Sequence, residues 1–326
     1  FVHVHAIGSR GTHRVMLPSP LYSAAGTAGI YCAVYVGSTS VIVNFDAEQA
    51  LATLERERIT FTNLVPTTIQ RLLAREDFDR YDLSALDTIL YGGSPIPVPV
   101  LMEARRKLPR CRFRQTFAST ETGTAGTVLE PADHDLALND PAYAHRLLSC
   151  GKPQVAVEVA VFDEQGQPLP AGTVGEIGVR TEANITGFWG NAEATAENIR
   201  DGWVFTGDMA RIDEDGYVYL VDRKKDLIVT GAFNVYPSEV ERVWQAHAAV
   251  YEVAVIGVPS AEWGEAIKAV VVLRPGHSAT AAELIHWCDG RIAGYKKPKT
   301  IDFVQTLPRN ATGKVLHRQL REPYWK

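Results

Sequence analysis

Four cysteines in 326 residues are too few and too scattered to staple a fold. They stand at 32, 111, 150 and 288 with no CxxC pair, and a chain of this length can bury a core without disulfides. Free buried thiols in a reducing cytosol are the simplest reading, so a cytoplasmic protein is expected. No apolar run reaches 18 residues, which leaves no transmembrane helix candidate. No basic stretch leads into an apolar core, so no signal peptide is read. Positive charge is not in excess either. Lys and Arg number 33 against 38 Asp and Glu, a formal net charge of -5, and pairs such as Arg105-Arg106 and Lys224-Lys225 are too short to form a patch. That excludes a charge-driven nucleic-acid or anionic-membrane surface. Internal repeats and low-complexity tracts are absent. An initiating methionine is absent too: FVHVHAIGSRGTHRV at the start reads like the middle of a protein.

What is present is an ordinary globular composition, 46% hydrophobic and 22% charged, long enough for about two domains. Strand-like and helix-like segments alternate through the first half. VIVNF (41–45) is apolar and β-branched, and Asp46 with Gln49 three residues on has the spacing of a capping box before a helix through Leu51 and Leu54. TNLVP (62–66) reads as a strand up to Pro66, which suits the first turn of a following helix. TILYGG (88–93) and RCRFRQTF (110–117) read as further strands. The rhythm predicts an α/β fold, a largely parallel sheet with flanking helices. From about 151 the texture changes. VAVEVAVFD (155–163), EIGVR (176–180) and YVYLVDR (217–223) alternate in polarity between turn residues, the pattern of an antiparallel sheet. After Asp222-Arg223-Lys224-Lys225-Asp226, a solvated charged run that suits a hinge, the pattern becomes a compact α+β unit. The expected organisation is therefore 1–222 as part of a large N-terminal domain (1–150 α/β sheet, 151–222 β-rich), a hinge at 223–226, and a small mobile α+β C-terminal domain at 227–326.

Four short segments carry candidate chemistry. Phe117-Ala118-Ser119-Thr120-Glu121-Thr122-Gly123 offers hydroxyls and backbone N–H groups for phosphate oxygens and a carboxylate suited to Mg²⁺. Alone, the signal is weak, and a strand-to-helix turn with Thr120 as N-cap is the simpler reading. Tyr91-Gly92-Gly93-Ser94-Pro95 could let a planar ring lie against backbone, or be a plain glycine turn. Asp208, after Gly207, can accept both hydroxyls of a ribose, or be a turn aspartate. Lys314, after Thr312-Gly313, sits in a tight loop that could deliver an ammonium to an anion, or be a surface lysine.

Their order and separations resemble the core motifs of adenylate-forming enzymes, the superfamily of acyl- and aryl-CoA synthetases, peptide-synthetase adenylation domains and beetle luciferase. The stretch GFWGNAEATAENIRDGWVFTGDMARIDEDGYVYLVDRKKDLIVTGAFNVYPSEVE (187–241) is the most specific, and the resemblance covers nearly the whole chain. It implies an ATP-dependent acid–CoA ligase: a carboxylic acid, fatty or related, is joined to AMP with release of pyrophosphate, then passed to the thiol of coenzyme A. It implies Thr120 on the AMP phosphate, Glu121 on Mg²⁺, and Gly93, Ser94 and Pro95 at the adenine. Thr116 and Phe117 join the same nucleotide site, Asp208 and Arg223 hold the ribose, and Lys225 is the hinge. Thr230 and Gly231 line the pantetheine channel, and Lys314 is the adenylation lysine. Gly26 and Thr27 are expected near the acyl pocket. The alternatives are an adenylation domain serving a carrier protein, or an inactive remnant that binds nucleotide or a partner.

Two departures from the family stand out. Ser23, in Pro20-Leu21-Tyr22-Ser23, occupies the place of a histidine. The Ser/Thr/Gly-rich loop ending in Pro-Lys-Gly, which grips the outer phosphates, is not in these 326 residues. The N-terminal portion of the family fold is thus expected to lie outside the chain. The sheet it would cover is expected to need a second copy or a separate N-terminal chain.

Overall fold

In the computed structural model, residues 4, 7–94, 96–231, 233–310 and 314–325 are described. The chain divides into two compact units. The first comprises Phe1–Thr206 and Ala210–Leu220, the second Gly207–Met209 and Val221–Lys326.

The first unit is built on a seven-stranded sheet in the order β2-β1-β3-β4-β5-β6-β7. Its strands are β1 (Arg14–Leu17), β2 (Thr39–Ile42), β3 (Phe61–Leu64), β4 (Thr88–Gly92), β5 (Arg112–Ala118), β6 (Gly126–Leu129) and β7 (Lys152–Pro153). β1 to β5 run parallel, while β6 and β7 join antiparallel. Helices α1 (Ala24–Val36), α2 (Ala47–Arg56), α3 (Pro66–Leu73), α4 (Val98–Lys107) and α5 (Pro131–Asn139) cover it. Strand side chains alternate between two cores. Met16, Ile89, Tyr91 and Phe113 pack with Leu51, Leu54, Ile69 and Leu101 from the helices, while Val15, Leu17, Phe61 and Leu90 pack with Cys32 of α1. Burial on both faces is why β4 reads as a continuous apolar run.

Asp46 caps α2, accepting from the backbone N–H of Glu48 and Gln49, and Pro66 opens α3 as the sequence predicts. The strand expected at 41–45 ends at Ile42, because the chain leaves the sheet to reach the Asp46 cap. Strand 155–163 also starts late: Val157 N–H donates to Gln154 O in a turn that places Ala156 at φ +58°, and β8 (Glu158–Phe162) follows.

The β-rich part has β8, β9 (Gly175–Arg180), β11 (Trp203–Ile212) and β10 (Ile199–Arg200) in one sheet, with β12 (Val218–Arg223) on β11 and helix α6 (Ala192–Asn198) before β10. β8 pairs antiparallel with β9, and β10 with β11. Its core is Cys150, Val161, Ile177, Ala210 and Val218.

The second unit centres on β13 (Ile228–Thr230), β14 (Phe233–Val235), β15 (Val250–Ser260), β16 (Gly264–Leu273) and β17 (Thr300–Phe303), in the order β14-β13-β16-β15 with β17 on β16. Helices α7 (Pro237–Gln245) and α8 (Ala281–Trp287) pack Val240, Trp244 and Leu284 on one face, against Val253, Val255 and Val271. Ala254, Ile256 and Val270 meet Leu307 on the other, near α9 (His317–Arg321). All four cysteines are buried and free. Among the described residues, no helix is long and apolar enough to cross a membrane.

Candidate functional site

The motif residues fall into two groups, one in each unit. In the first unit, β4 and β5 end side by side. A Cβ on Gly92 would lie 2.4 Å from Thr116 O, so only glycine permits this approach. Gly93 then turns the chain at φ +79°, where an L side chain is strained. Pro95 lies outside the described residues.

β5 continues through Thr116 and Phe117 to Ala118, and a tight turn leads into β6. No helix follows, so the N-cap alternative for Thr120 does not hold. The turn is clamped from inside by Thr122. This residue is fully buried, and its Oγ1 donates to Ala125 O at 2.6 Å and accepts from Ser119 N–H at 3.2 Å. Gly123 sits at φ +59°, where an added Cβ would meet Ala183 O at 2.5 Å, and Ile185 N–H donates to Glu121 O at 2.9 Å. The 181–187 segment thus braces the turn from outside.

With backbone and Thr122 committed to holding the turn, three side chains keep spare capacity. Among the described residues, the Thr120 hydroxyl and the Glu121 carboxylate have no hydrogen-bond partner. Ser119 Oγ is buried without one. A buried hydroxyl without a partner costs roughly 1–3 kcal/mol, so it marks a place for an external ligand or water. Phosphate oxygens fit these donors. The alanine at 118, where glycine is usual, does not crowd the turn: it is exposed, and the close approach falls on Gly126, whose added Cβ would meet Phe117 O at 2.1 Å.

Ser23 also has a local explanation. Its Oγ accepts from Gly26 N–H at 3.1 Å and donates to Pro20 O at 2.6 Å, capping α1. The hydroxyl is spent on the helix end. Gly26 is pressed against Pro20, with 2.3 Å from an added Cβ to the carbonyl oxygen, and Thr27 Oγ1 donates to Leu21 O at 2.7 Å.

In the second unit, Asp208 is only 6% exposed and accepts from Arg223 Nε at 2.8 Å. β11 supplies the carboxylate and the end of β12 the guanidinium. A single 3₁₀ turn, Lys224–Asp226, follows Arg223. The charged run is only partly solvated: Asp222 Oδ2 accepts from Ser238 N–H at 2.8 Å, and its burial raises its pKa. Lys225 is exposed, and its carbonyl accepts from Arg321 at 3.2 Å. Lys314 is held by its backbone, with Asn310 Oδ1 accepting from Lys314 N–H at 2.9 Å. Partial desolvation, with repulsion from Arg223 and Lys225, holds the Lys314 ammonium below its ordinary pKa, against the pull of Asp208 and Asp226. Thr312 and Gly313 lie outside the described residues. A cavity of about 660 Å³ is lined by Arg223, Lys225, Asp226, Lys314, His317 and Arg321 among others. Thr230 is buried at the end of β13. Gly231, at φ +61°, leaves 3.2 Å between an added Cβ and the Trp263 ring. Ala232 lies outside the described residues.

Known proteins resemble this chain over most of its length. The sequence matches the family described as AMP-binding enzyme over residues 2–189 and the AMP-binding enzyme C-terminal domain over residues 239–314. A medium/long-chain-fatty-acid–CoA ligase of Mycobacterium tuberculosis is 38% identical over 320 residues, 96% of this chain and 54% of the relative. A feruloyl-CoA synthase of Amycolatopsis is 38% identical over 314 residues, 95% of this chain and 62% of the relative. The structure of o-succinylbenzoate CoA synthetase from Bacillus subtilis in complex with its acyl-adenylate intermediate superposes with a TM-score of 0.85 at 31% identity, covering 98% of this chain and 63% of that one. The chain thus spans between about half and two thirds of the length of these relatives.

Proposed function

Since the chain belongs to the AMP-binding enzyme family, we propose that it works as an ATP-dependent acid–CoA ligase on a fatty or related organic acid. The observation that carries this reading is the spare capacity at the motif positions: Ser119 Oγ is buried and unsatisfied beside Thr120 and Glu121, which have no partner of their own among the described residues.

The residues take these roles. Ser119 and Thr120 hydroxyls donate to the phosphate next to the acyl group. The Gly92-Gly93-Ser94 backbone lies along the adenine, and Thr116 and Phe117 shape the floor beneath it. Asp208 accepts from the ribose hydroxyls, its orientation fixed by Arg223. Glu121 is the protein's ligand for Mg²⁺. A hard carboxylate of this kind would hold the ion together with oxygen donors of the nucleotide. When bound, the ion supplies charge neutralisation at the phosphates.

In the first half-reaction the acid's carboxylate oxygen forms a bond to the α-phosphorus of ATP, and pyrophosphate leaves with the electrons of the broken bond. Lys314 places its ammonium against the charge that grows on the α-phosphate oxygens. In the second half-reaction the thiol sulfur attacks the acyl carbonyl and AMP leaves. Lys314 has no task there. Lys225 is the pivot between the two arrangements, and Thr230 and Gly231 face the pantetheine arm.

Two assays test the proposal: acid-dependent exchange of pyrophosphate into ATP over a panel of carboxylic acids, and acyl-CoA formation from supplied acyl-adenylates. Exchange with one class of acid and CoA-dependent consumption of its adenylate is the expected result. Exchange without any CoA thioester would favour transfer to a carrier protein. Neither activity, with no AMP binding, would leave the remnant reading.

A further inference from the structure

The strand that leads to the proposed adenine turn loses its neighbours step by step. Pairing of β4 with β3 stops at Leu64 opposite Tyr91, and pairing with β5 stops at Thr116 opposite Gly92. Gly93 has no side chain and a left-handed backbone. The direction of the turn is therefore set by the last residue held from both sides, Tyr91.

Tyr91 is fully buried, and its hydroxyl lies 2.7 Å from Nε2 of His134, which is itself fully buried on α5. Nδ1 of His134 lies 2.8 Å from the Glu130 carbonyl oxygen. A carbonyl only accepts, so Nδ1 carries the proton. Nε2 of the neutral ring is then an acceptor, and the phenol must donate to it. One tautomer satisfies all three groups. The charged groups around the ring are Arg105 of α4 and Asp133 and Asp135 of α5, while Cys150 faces Tyr91. Burial lowers the His134 pKa, which keeps the ring in the neutral form that this arrangement needs.

We propose that His134 is a positioning residue for nucleotide binding: through its hydrogen bond to the Tyr91 hydroxyl it fixes the end of β4, so that Gly92, Gly93 and Ser94 present their backbone correctly to the adenine. The inference rests on reading that turn as the adenine contact. It differs from core packing in one respect. A phenylalanine at 91 would fill the same volume, yet it would leave Nε2 without a donor and the strand end free to shift.

AMP titration by calorimetry, paired with urea denaturation, tests this on the 326-residue chain with Y91F, H134L, H134Q and the double variant Y91F/H134L. Loss of one net hydrogen bond corresponds to roughly a fivefold change in an equilibrium constant. Y91F and H134L should each weaken AMP by about that factor, and the double variant should be no weaker than the worse single one. H134Q, whose amide oxygen can accept from Tyr91, should stay within about twofold of wild type. If Y91F lowers the urea midpoint but leaves AMP affinity unchanged, the pair is packing only and the inference is overturned. Should H134L fail to fold, Y91F decides alone. A wild-type chain that does not bind AMP removes the adenylate reading and this inference with it. Wild-type binding that Y91F does not alter overturns the inference and leaves the reading standing.

Discussion

Asp208 shows at single-residue scale what the proposal demands. It is a nearly buried carboxylate whose charge is met by Arg223. In the proposed function it accepts from two ribose hydroxyls in charge-assisted hydrogen bonds. Asp208→Ala should weaken AMP binding by about 1.5–3 kcal/mol, read by calorimetry; an unchanged affinity would remove the ribose role. Some of these residues are legible in the sequence and some are not. Thr120, Glu121, Asp208 and Lys314 stand out because their motifs keep a fixed order and spacing. Thr122 and Ser119 lie inside the same motif, yet only the fold separates the clamp from the free hydroxyl. His134 gives no signal at all, because its partner Tyr91 is 43 residues away and the contact exists only after α5 packs on β4.

At the scale of elements, local patterning sets what forms and neighbours set where it stops. The Asp46 cap and Pro66 start are short-range chemistry and are found as read. The late start of β8 comes from a turn at Gln154–Val157, where Ala156 takes a left-handed backbone that alternating polarity does not announce. The 119–125 turn joins antiparallel strands, where its hydroxyls alone would equally suit a helix start. The turn at Lys224–Asp226 is short and exposed at Lys225, so proline there should leave the fold intact while fixing φ. Lys225→Pro is expected to spare adenylation and block thioester formation. Normal rates in both half-reactions would place the pivot elsewhere.

A second element-level consequence concerns pH. His317 on α9 is 3.2 Å from Glu241, whose carboxylate also accepts from Val255 N–H at 2.8 Å. Burial opposes protonation of this ring, but Glu241, with Asp226 and Asp222, outweighs it and raises the His317 pKa. A raised folded value means that the bridge's stability is complete below the unfolded imidazole pKa of about 6.5 and is lost as pH climbs through the folded value. Urea midpoints of the full chain should therefore fall as pH rises above about 6.5. His317→Gln, which does not titrate, should flatten that slope; an unchanged slope would assign it to other groups.

For the whole molecule, the parallel sheet imposes a requirement of its own. Parallel strands are normally covered on both faces. Here α1 shows Tyr31 71% and Val34 75% exposed, and the edge strand β2 leaves Ile42 56% exposed. A surface of that kind favours association. The 326-residue chain is expected to sediment as species heavier than its 35.8 kDa monomer, and Tyr31→Glu with Val34→Glu should shift it toward monomer. A monodisperse wild-type monomer would contradict this. The α/β rhythm of the first half was legible because short strand-like segments alternate with helix starts marked by Asp46 and Pro66. The antiparallel arrival of β6 and β7 on the same sheet was not, because four-residue and two-residue strands carry too little pattern.

The proposed function divides one ligase reaction into two steps and gives Lys314 a part only in the first. The most direct measurement follows both half-reactions in Lys314→Ala and wild type: acid-dependent pyrophosphate exchange, and acyl-CoA formation from supplied acyl-adenylate. Loss of one electrostatic contact made in the transition state costs about 3 kcal/mol, a factor of roughly 10². Exchange should fall by at least that factor while acyl-CoA formation changes less than about threefold; equal losses in both steps would remove the role assigned to Lys314.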